Sequence, residues 1–388
     1  MKQKRTAPIW LKVLIIFLAW KVLLLFAVII SVTEVLQIKN PEKQPKINAP
    51  IFIQAAVKWD AGYYLKIAEE GYGSELNSKP AFFPLFPLLL KTGTSLTGMQ
   101  PATVGLIINT FAAYFACLFL YLLAIEYFSQ DKESANRTLL LFLFFPMSFF
   151  LTALYTEALT CALTFGAFYY AKKQRWALAN FLLLPLTALR LPGLIAAGAI
   201  FTEYLSSQHF SLKKIDRRIG WFILAPLGLI GYMTYLYFHF GDALAFLHAY
   251  NYEWEYYQRN FNILATVWRE TAKIGSLLLA GPAGLNENLT NELIYFIPWV
   301  ATFVLGIIGL KKMPASYSVL TFLTLFLVSS SSHFVAVGRY VLPLFPNYLI
   351  LTDLLRFRSP ALFGAILAAS AILLGIFLLL FSNGYWVS

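Results

Sequence analysis

The stretch WDAGYYLKIAEEGYGSELNSKPAFFPLFP runs from Trp59 to Pro87 and combines aromatic, acidic and proline residues within a strongly apolar chain. Asp60 follows a tryptophan and is a residue type that caps helices through the first free amides. We therefore predict a short helix after Asp60, with Tyr63 and Tyr64 on one side. Gly71 is placed to end that helix. Asp60 is the first candidate for chemistry.

The rest of the chain indicates the environment of this stretch. Of its 388 residues 59% are hydrophobic and 13% are charged, whereas soluble domains average about 25% charged residues. The composition predicts an all-α polytopic membrane protein, and without linkers or repeats we interpret residues 1–388 as a single transmembrane domain. The net charge of +11 does not indicate nucleic-acid binding, because the basic residues cluster in short loops between apolar runs.

The apolar runs predict about eleven transmembrane helices. Two further segments are predicted to be interfacial: residues 82–98, which are short and contain Pro84 and Pro87, and the later loop 241–291. The apolar runs lie at about 10–32, 101–128, 139–152, 154–171, 176–189, 191–206, 219–240, 292–310, 315–331, 341–356 and 360–382.

Lysine and arginine residues predict the orientation of the chain. Basic clusters near the N-terminus and in four short loops are expected in the cytoplasm. Residues 33–100 and 241–291 then lie on the non-cytoplasmic side, and residues 33–100 form the predicted catalytic outer loop. The basic loop residues are Lys172, Lys173, Arg175, Lys213, Lys214, Arg217, Arg218, Lys311, Lys312, Arg356 and Arg358.

Ionisable and aromatic residues at the outer membrane face are the candidate site, because charges that border lipid are commonly functional. Each has a structural alternative: Asp60 as a helix cap, the arginines as head-group anchors, and Trp59 as part of an aromatic belt. The histidines show no metal-ligand spacing, and phosphate-binding or nucleophile-elbow motifs are missing, so no metal or cofactor is expected. The candidates are Asp60, Tyr64, Glu70, Glu157, Arg190, His333 and Arg339.

Four ordered segments carry a resemblance to a known family. WDAGYYLKIAEEGY with FFPLFP, FPMSFFLTALYTEAL, LRLPG and GRYVLPLFP resemble the PIG-V mannosyltransferases, members of the GT-C superfamily of multispanning glycosyltransferases. That family adds the second mannose in glycosylphosphatidylinositol assembly. The resemblance implies an inverting, metal-independent hexosyltransferase with a polyprenyl-phosphate sugar as donor and a lipid-linked or glycan hydroxyl as acceptor.

The resemblance also implies residue roles. Asp60 becomes the catalytic base, because GT-C members use a carboxylate in the first outer loop. Arg190 and Arg339 become ligands of the donor phosphate, whose growing charge a guanidinium can stabilise. The residues expected to bind substrate are Trp59, Tyr64, Glu70, Tyr155, Glu157, His333 and Tyr340.

Two other classes of protein stay open from the sequence. A lipid or glycolipid transporter or flippase would also have a polar cavity, although it would favour internal repeats. A non-catalytic assembly subunit is the third interpretation. The expected partners are the polyprenyl-phosphate sugar, the acceptor and membrane lipid. The expected location is the plasma membrane for a bacterial protein and the endoplasmic reticulum membrane for a eukaryotic one.

Overall fold

The computed structural model describes residues 7–31, 45, 47–253, 261–280 and 287–387, which fold into helices joined by short loops. This confirms the predicted all-α class. The helices are α1 (Ile9–Ile30), α2 (Ile51–Ala56), α3 (Ala61–Glu70), α4 (Leu85–Thr97), α5 (Pro101–Tyr127), α6 (Lys132–Leu143), α7 (Glu157–Lys172), α8 (Trp176–Leu189), α9 (Pro192–Ser207), α10 (Leu227–Phe240), α11 (Ala245–His248), α12 (Tyr250–Glu253), α13 (Ile263–Leu279), α14 (Glu287–Gly309), α15 (Ala315–Ser329), α16 (Val337–Val341), α17 (Phe345–Leu355) and α18 (Pro360–Ser382).

Among the described helices, five are long and apolar enough to cross a membrane. The apolar helices α8 and α15 have 14 and 15 residues, fewer than the roughly 20 that a full span needs. The chain is an integral membrane protein, and the total of about eleven spans stays a prediction. The five candidate spans are Ile9–Ile30, Pro101–Tyr127, Arg217–Phe240, Glu292–Gly309 and Pro360–Ser382.

Three of the predicted apolar runs are interrupted in the structure. In the run 219–240, residues 224–226, which include Pro226, separate a 3₁₀ turn at Arg217–Ile223 from α10. The run 139–152 contains the end of α6 at Leu143 and a separate 3₁₀ turn at Ser148–Leu151. The run 341–356 contains the end of α16 and all of α17. Pro146 and Pro343 lie at these interruptions, where proline removes a backbone donor and disfavours helix before it. Short helical pieces at membrane depth are tolerated where they line a cavity.

The predicted helix after Asp60 forms as α3, and Gly71 ends it with φ of +75°. Asp60 occupies the N-cap position, but its side chain does not cap the helix. This corrects the predicted capping role, and the side chain points to another partner. The following helix α4 has 13 residues, which agrees with an interfacial position better than with a span.

In the segment 241–291, the second predicted outer loop, α13 is amphipathic. Leu264 is 83% exposed and Trp268 is 75% exposed, while Glu270 is 2% exposed and Thr266 is fully buried. One face therefore presents apolar side chains outward and the other packs on the protein, as an interfacial helix requires. Its buried face contacts the loop before α16, where Thr266 Oγ1 donates to the Ser331 carbonyl at 3.1 Å.

The loop before α7 is held by hydrogen bonds from α5. Asn109 of α5 donates from its amide to the carbonyl oxygens of Ala153, at 2.6 Å, and Tyr155, at 2.8 Å. Gly105 lies one turn earlier, and a Cβ there would come within 2.2 Å of a Leu154 methyl group. The absence of a side chain at Gly105 thus allows this loop to approach α5 closely.

Candidate active site

Asp60 is anchored through its backbone. Its N–H donates to Tyr155 Oη at 3.2 Å, and the Tyr155 hydroxyl donates to the Lys58 carbonyl at 3.0 Å. Trp59 between them has φ of +53°, a left-handed conformation that costs a non-glycine residue on the order of 1 kcal/mol. These contacts fix the backbone directly before Asp60, and α3 begins directly after it, so its carboxylate has a defined direction.

That carboxylate contacts Arg339. The guanidinium Nη1 donates to Asp60 Oδ2 at 2.8 Å, with 19% of the Asp60 side chain and 11% of the Arg339 side chain exposed. The rings of Tyr155 and Phe150 lie 5.2 and 5.4 Å from the Arg339 guanidinium. A guanidinium stacked on aromatic rings and paired with a carboxylate is strongly restrained.

The short helix α16 presents Arg339 to the site. Ala336 begins it in a left-handed conformation, with φ of +55°. At Gly338, a Cβ would come within 2.5 Å of the Met147 side chain. Glycine at this position therefore lets α16 pack closely against the segment that precedes α7.

Glu157 connects the two arginines. It is the first residue of α7, where an acidic side chain is stabilised by the helix dipole, and it is 1% exposed. Arg190 Nη1 donates to its Oε1 at 2.7 Å, and Arg339 Nε lies 3.9 Å from the same oxygen. Arg190 follows the end of α8 in extended conformation and stacks on Tyr340, with 5.0 Å to the ring centroid.

A cavity of about 190 Å³ opens beside these charges. Six of the candidate residues line it, and aromatic residues from four other segments complete its walls. Two carboxylates and two guanidiniums give it a formal charge of zero when it is empty. The six are Asp60, Tyr64, Glu157, Arg190, Arg339 and Tyr340, and the aromatic wall residues are Phe82, Phe83, Phe246, Tyr250 and Trp386.

Comparison with known proteins places the chain in a family. Residues 12–259 match the family described as Mannosyltransferase (PIG-V), which is well over half of the 388 residues. The chain belongs to this family. The match includes Asp60, Glu157 and Arg190 and ends before Arg339, so the place of Arg339 in the site depends on the structure.

The GPI mannosyltransferases are among the relatives. The chain is 34% identical to the Homo sapiens GPI alpha-1,6-mannosyltransferase 2 over 166 residues, 41% of this chain and 33% of that protein. It is 29% identical to the Schizosaccharomyces pombe GPI mannosyltransferase 2 over 167 residues, 41% of this chain and 34% of that protein. The match thus spans about a third of the length of these curated relatives.

The fold has a structural neighbour. The Archaeoglobus fulgidus oligosaccharyltransferase in complex with Zn and sulfate matches with a TM-score of 0.50 and 15% identity, over 94% of this chain and 53% of that chain. At this identity the likeness shows the fold alone, and it confirms the GT-C-like architecture that the resemblance implied.

Four of the predicted substrate-binding residues of this PIG-V family member do not line the cavity. Trp59 donates from Nε1 to the Tyr385 carbonyl at 3.3 Å, and Tyr155 is buried behind the Asp60–Arg339 pair. Glu70 has 64% of its side chain exposed and pairs with Lys79 at 3.3 Å. His333 lies 3.3 Å from Glu270. Their assignment as substrate-binding residues stays a prediction that the geometry does not favour.

Sequence reasoning missed the contribution of the C-terminal segment. Trp386 lines the cavity and meets the Trp59 ring edge to face, with the centroids 5.4 Å apart. A tryptophan that follows the last span looks like an ordinary interfacial anchor. Phe82, which belongs to the FFPLFP segment, also lines the cavity, and its ring stacks on that of Tyr63 with the centroids 4.4 Å apart.

The hydroxyl group of Tyr64, which lines the cavity, is a hydrogen-bond donor. Burial, with a further contribution from Glu157, raises the pKa of Tyr64 well above its usual value. The hydroxyl therefore stays neutral at physiological pH and can donate to a ligand in the cavity.

The described residues contain no group of three or more histidine, cysteine or acidic side chains that could hold a metal ion. In this part of the chain, the carboxylates of the cavity pair with arginines. The proposed metal independence of the PIG-V family member stays a prediction.

Proposed function

We propose that this protein transfers mannose from a polyprenyl-phosphate donor to a hydroxyl group of a glycolipid or glycan acceptor at the non-cytoplasmic membrane face. The observation that carries the proposal is the meeting of Asp60, Arg190 and Arg339 at one cavity. One carboxylate can accept a proton there, and two guanidiniums can bind a phosphate. The membership of the PIG-V family and the mannosyltransferase names of its relatives support mannose as the sugar.

The chemistry requires one base and one anion site. The acceptor oxygen forms a bond to the anomeric carbon, and the bond from that carbon to the phosphate oxygen breaks. The acceptor proton moves to Asp60, and the electron pair of the broken bond remains on the polyprenyl phosphate. Asp60 Oδ2 is held by Arg339, which leaves Oδ1 to take the proton. A single in-line displacement inverts the anomeric configuration.

The arginines act on the leaving group. Its phosphate gains charge as the bond breaks, and fixed guanidiniums stabilise that charge more in the transition state than in the ground state. Arg339 donates to Asp60 and lines the cavity together with Arg190. In the proposed reaction it therefore links the base and the leaving group.

A lipid-linked donor fits the cavity wall. Beside the charged residues, the lining includes apolar side chains from the α8–α9 corner and the end of α15, namely Leu189, Leu191, Pro192, Leu327 and Val328. The phosphate of the donor would therefore contact the arginines, and its hydrocarbon chain would contact the apolar side chains of the same cavity.

The test is donor turnover by purified protein in detergent. Labelled mannose on a short-chain polyprenyl phosphate should be released to a glycosylphosphatidylinositol precursor or, more slowly, to water. Asp60→Asn should lower the single-turnover rate by about 10²–10⁴-fold because it removes the proton acceptor and keeps the shape.

Asp242→Asn is the matched control. Asp242 also lies in a predicted outer loop, where it accepts from the Leu244 N–H and pairs with His248, and it does not line the cavity. Its turnover should equal that of the wild type. A normal rate for Asp60→Asn would remove Asp60 from the mechanism, and a complete lack of donor turnover in the wild type would favour a transporter or an assembly subunit.

A further inference from the structure

We propose that Glu157 is a positioning residue that sets the charge of the phosphate site and holds both arginines, without itself contacting the sugar. This inference rests on the proposed function, which assigns the arginines to the donor phosphate. It revises the sequence-based expectation that Glu157 binds substrate.

The burial of Glu157 sets it apart from Asp60, the other acidic residue that lines the cavity. The residue is 1% exposed, and its Oε2 is enclosed without a hydrogen-bond partner among the described residues. A substrate hydroxyl cannot reach an enclosed oxygen unless the wall moves. The other oxygen, Oε1, already accepts from Arg190 at 2.7 Å.

The second arginine is close to Glu157 but not hydrogen-bonded to it. Arg339 Nε lies 3.9 Å from Glu157 Oε1, beyond hydrogen-bonding distance. This nitrogen is also buried and has no hydrogen-bond partner within the part of the chain that the structure describes. The main anchor of Arg339 is Asp60, at 2.8 Å. The guanidinium is therefore hydrogen-bonded to the carboxylate of Asp60 and only close to that of Glu157.

Proton transfer changes the balance between these two contacts. Once Asp60 has taken the acceptor proton, it is neutral and its attraction for Arg339 falls. The carboxylate of Glu157 lies 3.9 Å from Arg339 Nε, so a small shift of the guanidinium would bring this nitrogen within hydrogen-bonding distance. Glu157 thus keeps Arg339 within the site at the stage when the leaving phosphate carries its largest charge.

The charge of Glu157 also limits how tightly phosphate is held. With Arg190, Arg339, Asp60 and Glu157 all ionised, the empty site is neutral, and it would carry one net positive charge without Glu157. A site that binds the product phosphate too tightly releases it slowly. Glu157 therefore weakens phosphate binding and favours turnover, which is opposite to the effect expected of a substrate ligand.

The fixed location of Glu157 supports a positioning role. It begins α7 directly after the loop that Asn109 holds through the carbonyls of Ala153 and Tyr155. The N–H of Thr160 bonds to the Thr156 carbonyl, which closes the first turn of the helix. The carboxylate is thus attached to a rigid element, and the longer arginine side chains adjust to it.

The test measures binding of farnesyl phosphate and inorganic phosphate to Glu157→Gln in detergent. For a phosphate about 6–10 Å from Glu157 at an effective dielectric constant of about 20, loss of the negative charge should tighten farnesyl phosphate binding about 15- to 100-fold. Inorganic phosphate should show the same direction if the headgroup alone is recognised. The variant should also show a lower KM for the donor and a lower kcat.

Glu203→Gln is the matched control, because Glu203 is a half-buried carboxylate of α9 that accepts from Ser316 and lies outside the cavity lining. Its phosphate affinity should stay within about twofold of the wild type. Should Glu157→Gln be unstable, Glu157→Asp retains the charge with a shorter arm. That variant should leave phosphate affinity within about threefold while lowering turnover.

Unchanged or weaker phosphate binding in folded Glu157→Gln would overturn the inference, as would strongly tightened binding in Glu157→Asp. The binding assay needs no sugar transfer. If the wild type does not turn over the donor but Glu157→Gln binds phosphate more tightly, the proposed reaction fails, and only the effect of Glu157 on the charge of the phosphate site stands.

Discussion

Replacement of Arg339 by lysine tests the link between the base and the phosphate site. The guanidinium donates to Asp60, lies near Glu157 and is stacked by Tyr155 and Phe150. Lysine keeps the positive charge but has neither the planar fork nor the stacking surface. The variant therefore separates the contribution of geometry from that of charge.

The expected magnitudes follow from these contacts. Removing one preorganised donor from a transition state typically costs about 10²–10³-fold in rate, and the retained charge favours the lower end, so we expect a loss of about 10²-fold. The lost stacking contacts should lower the free energy of unfolding by about 1–3 kcal/mol. Arg339→Ala should cost more, about 3–5 kcal/mol, because it leaves the carboxylate of Asp60 without its paired cation.

The assay is the single-turnover rate at saturating donor, with thermal unfolding in the same detergent. Arg356→Lys is the matched control, because Arg356 also pairs with a carboxylate, Asp353, and stacks on Phe128 and Phe357, yet it lies on the predicted cytoplasmic side. It should lose stability without losing turnover per folded molecule. A single-turnover rate for Arg339→Lys within about threefold of the wild type would refute the assigned role.

Three further predictions concern pH, metal and topology. Burial, and then Glu292, raise the pKa of Glu270 from 4.5 to about 7. Between these pH values the folded state binds more protons than the unfolded chain. The free energy of unfolding should therefore fall as pH rises from about 4.5 to 7. Glu270→Gln should flatten this dependence in thermal unfolding measured across that range, and an unchanged slope would contradict the assignment. EDTA should leave donor turnover within about twofold, whereas loss of activity that magnesium or manganese restores would show a metal requirement. Single cysteines at Glu75 and Lys213 should differ in labelling by an impermeant reagent in intact cells, with only position 75 labelled, and equal protection of both would contradict the predicted orientation.

Helix positions were largely predictable because lipid and protein interiors impose the same apolar signal. The runs 176–189 and 360–382 coincide with α8 and α18. Arg175 and Arg190 bound the first run and Pro360 begins the second, and hydrocarbon excludes unpaired charges and unpaired backbone groups. The sequence is less informative at run 139–152, where every residue is compatible with a span and only the local effect of Pro146 divides it.

The pairing of the charged residues was not predictable. Asp60 and Arg339 are 279 residues apart, and no periodicity relates them. Glu70 and Glu157 both follow aromatic-rich segments, but one pairs with Lys79 in an exposed position and the other is enclosed. Burial, which depends on the packing of distant helices, decides which acid belongs to the cavity.

A physical regularity nevertheless connects the site to the sequence. Asp60 stands at the N-cap of α3 and Glu157 at the first residue of α7, while Arg190 directly follows the last residue of α8. Acids at helix N-termini and a cation at a C-terminus are the arrangement that helix dipoles stabilise. In a membrane protein such ends lie near the interface unless the helix is short. The cavity therefore lies where the short helices α3 and α16 meet the ends of longer ones, so that Asp60 before α3 and Arg339 within α16 face Glu157 and Arg190.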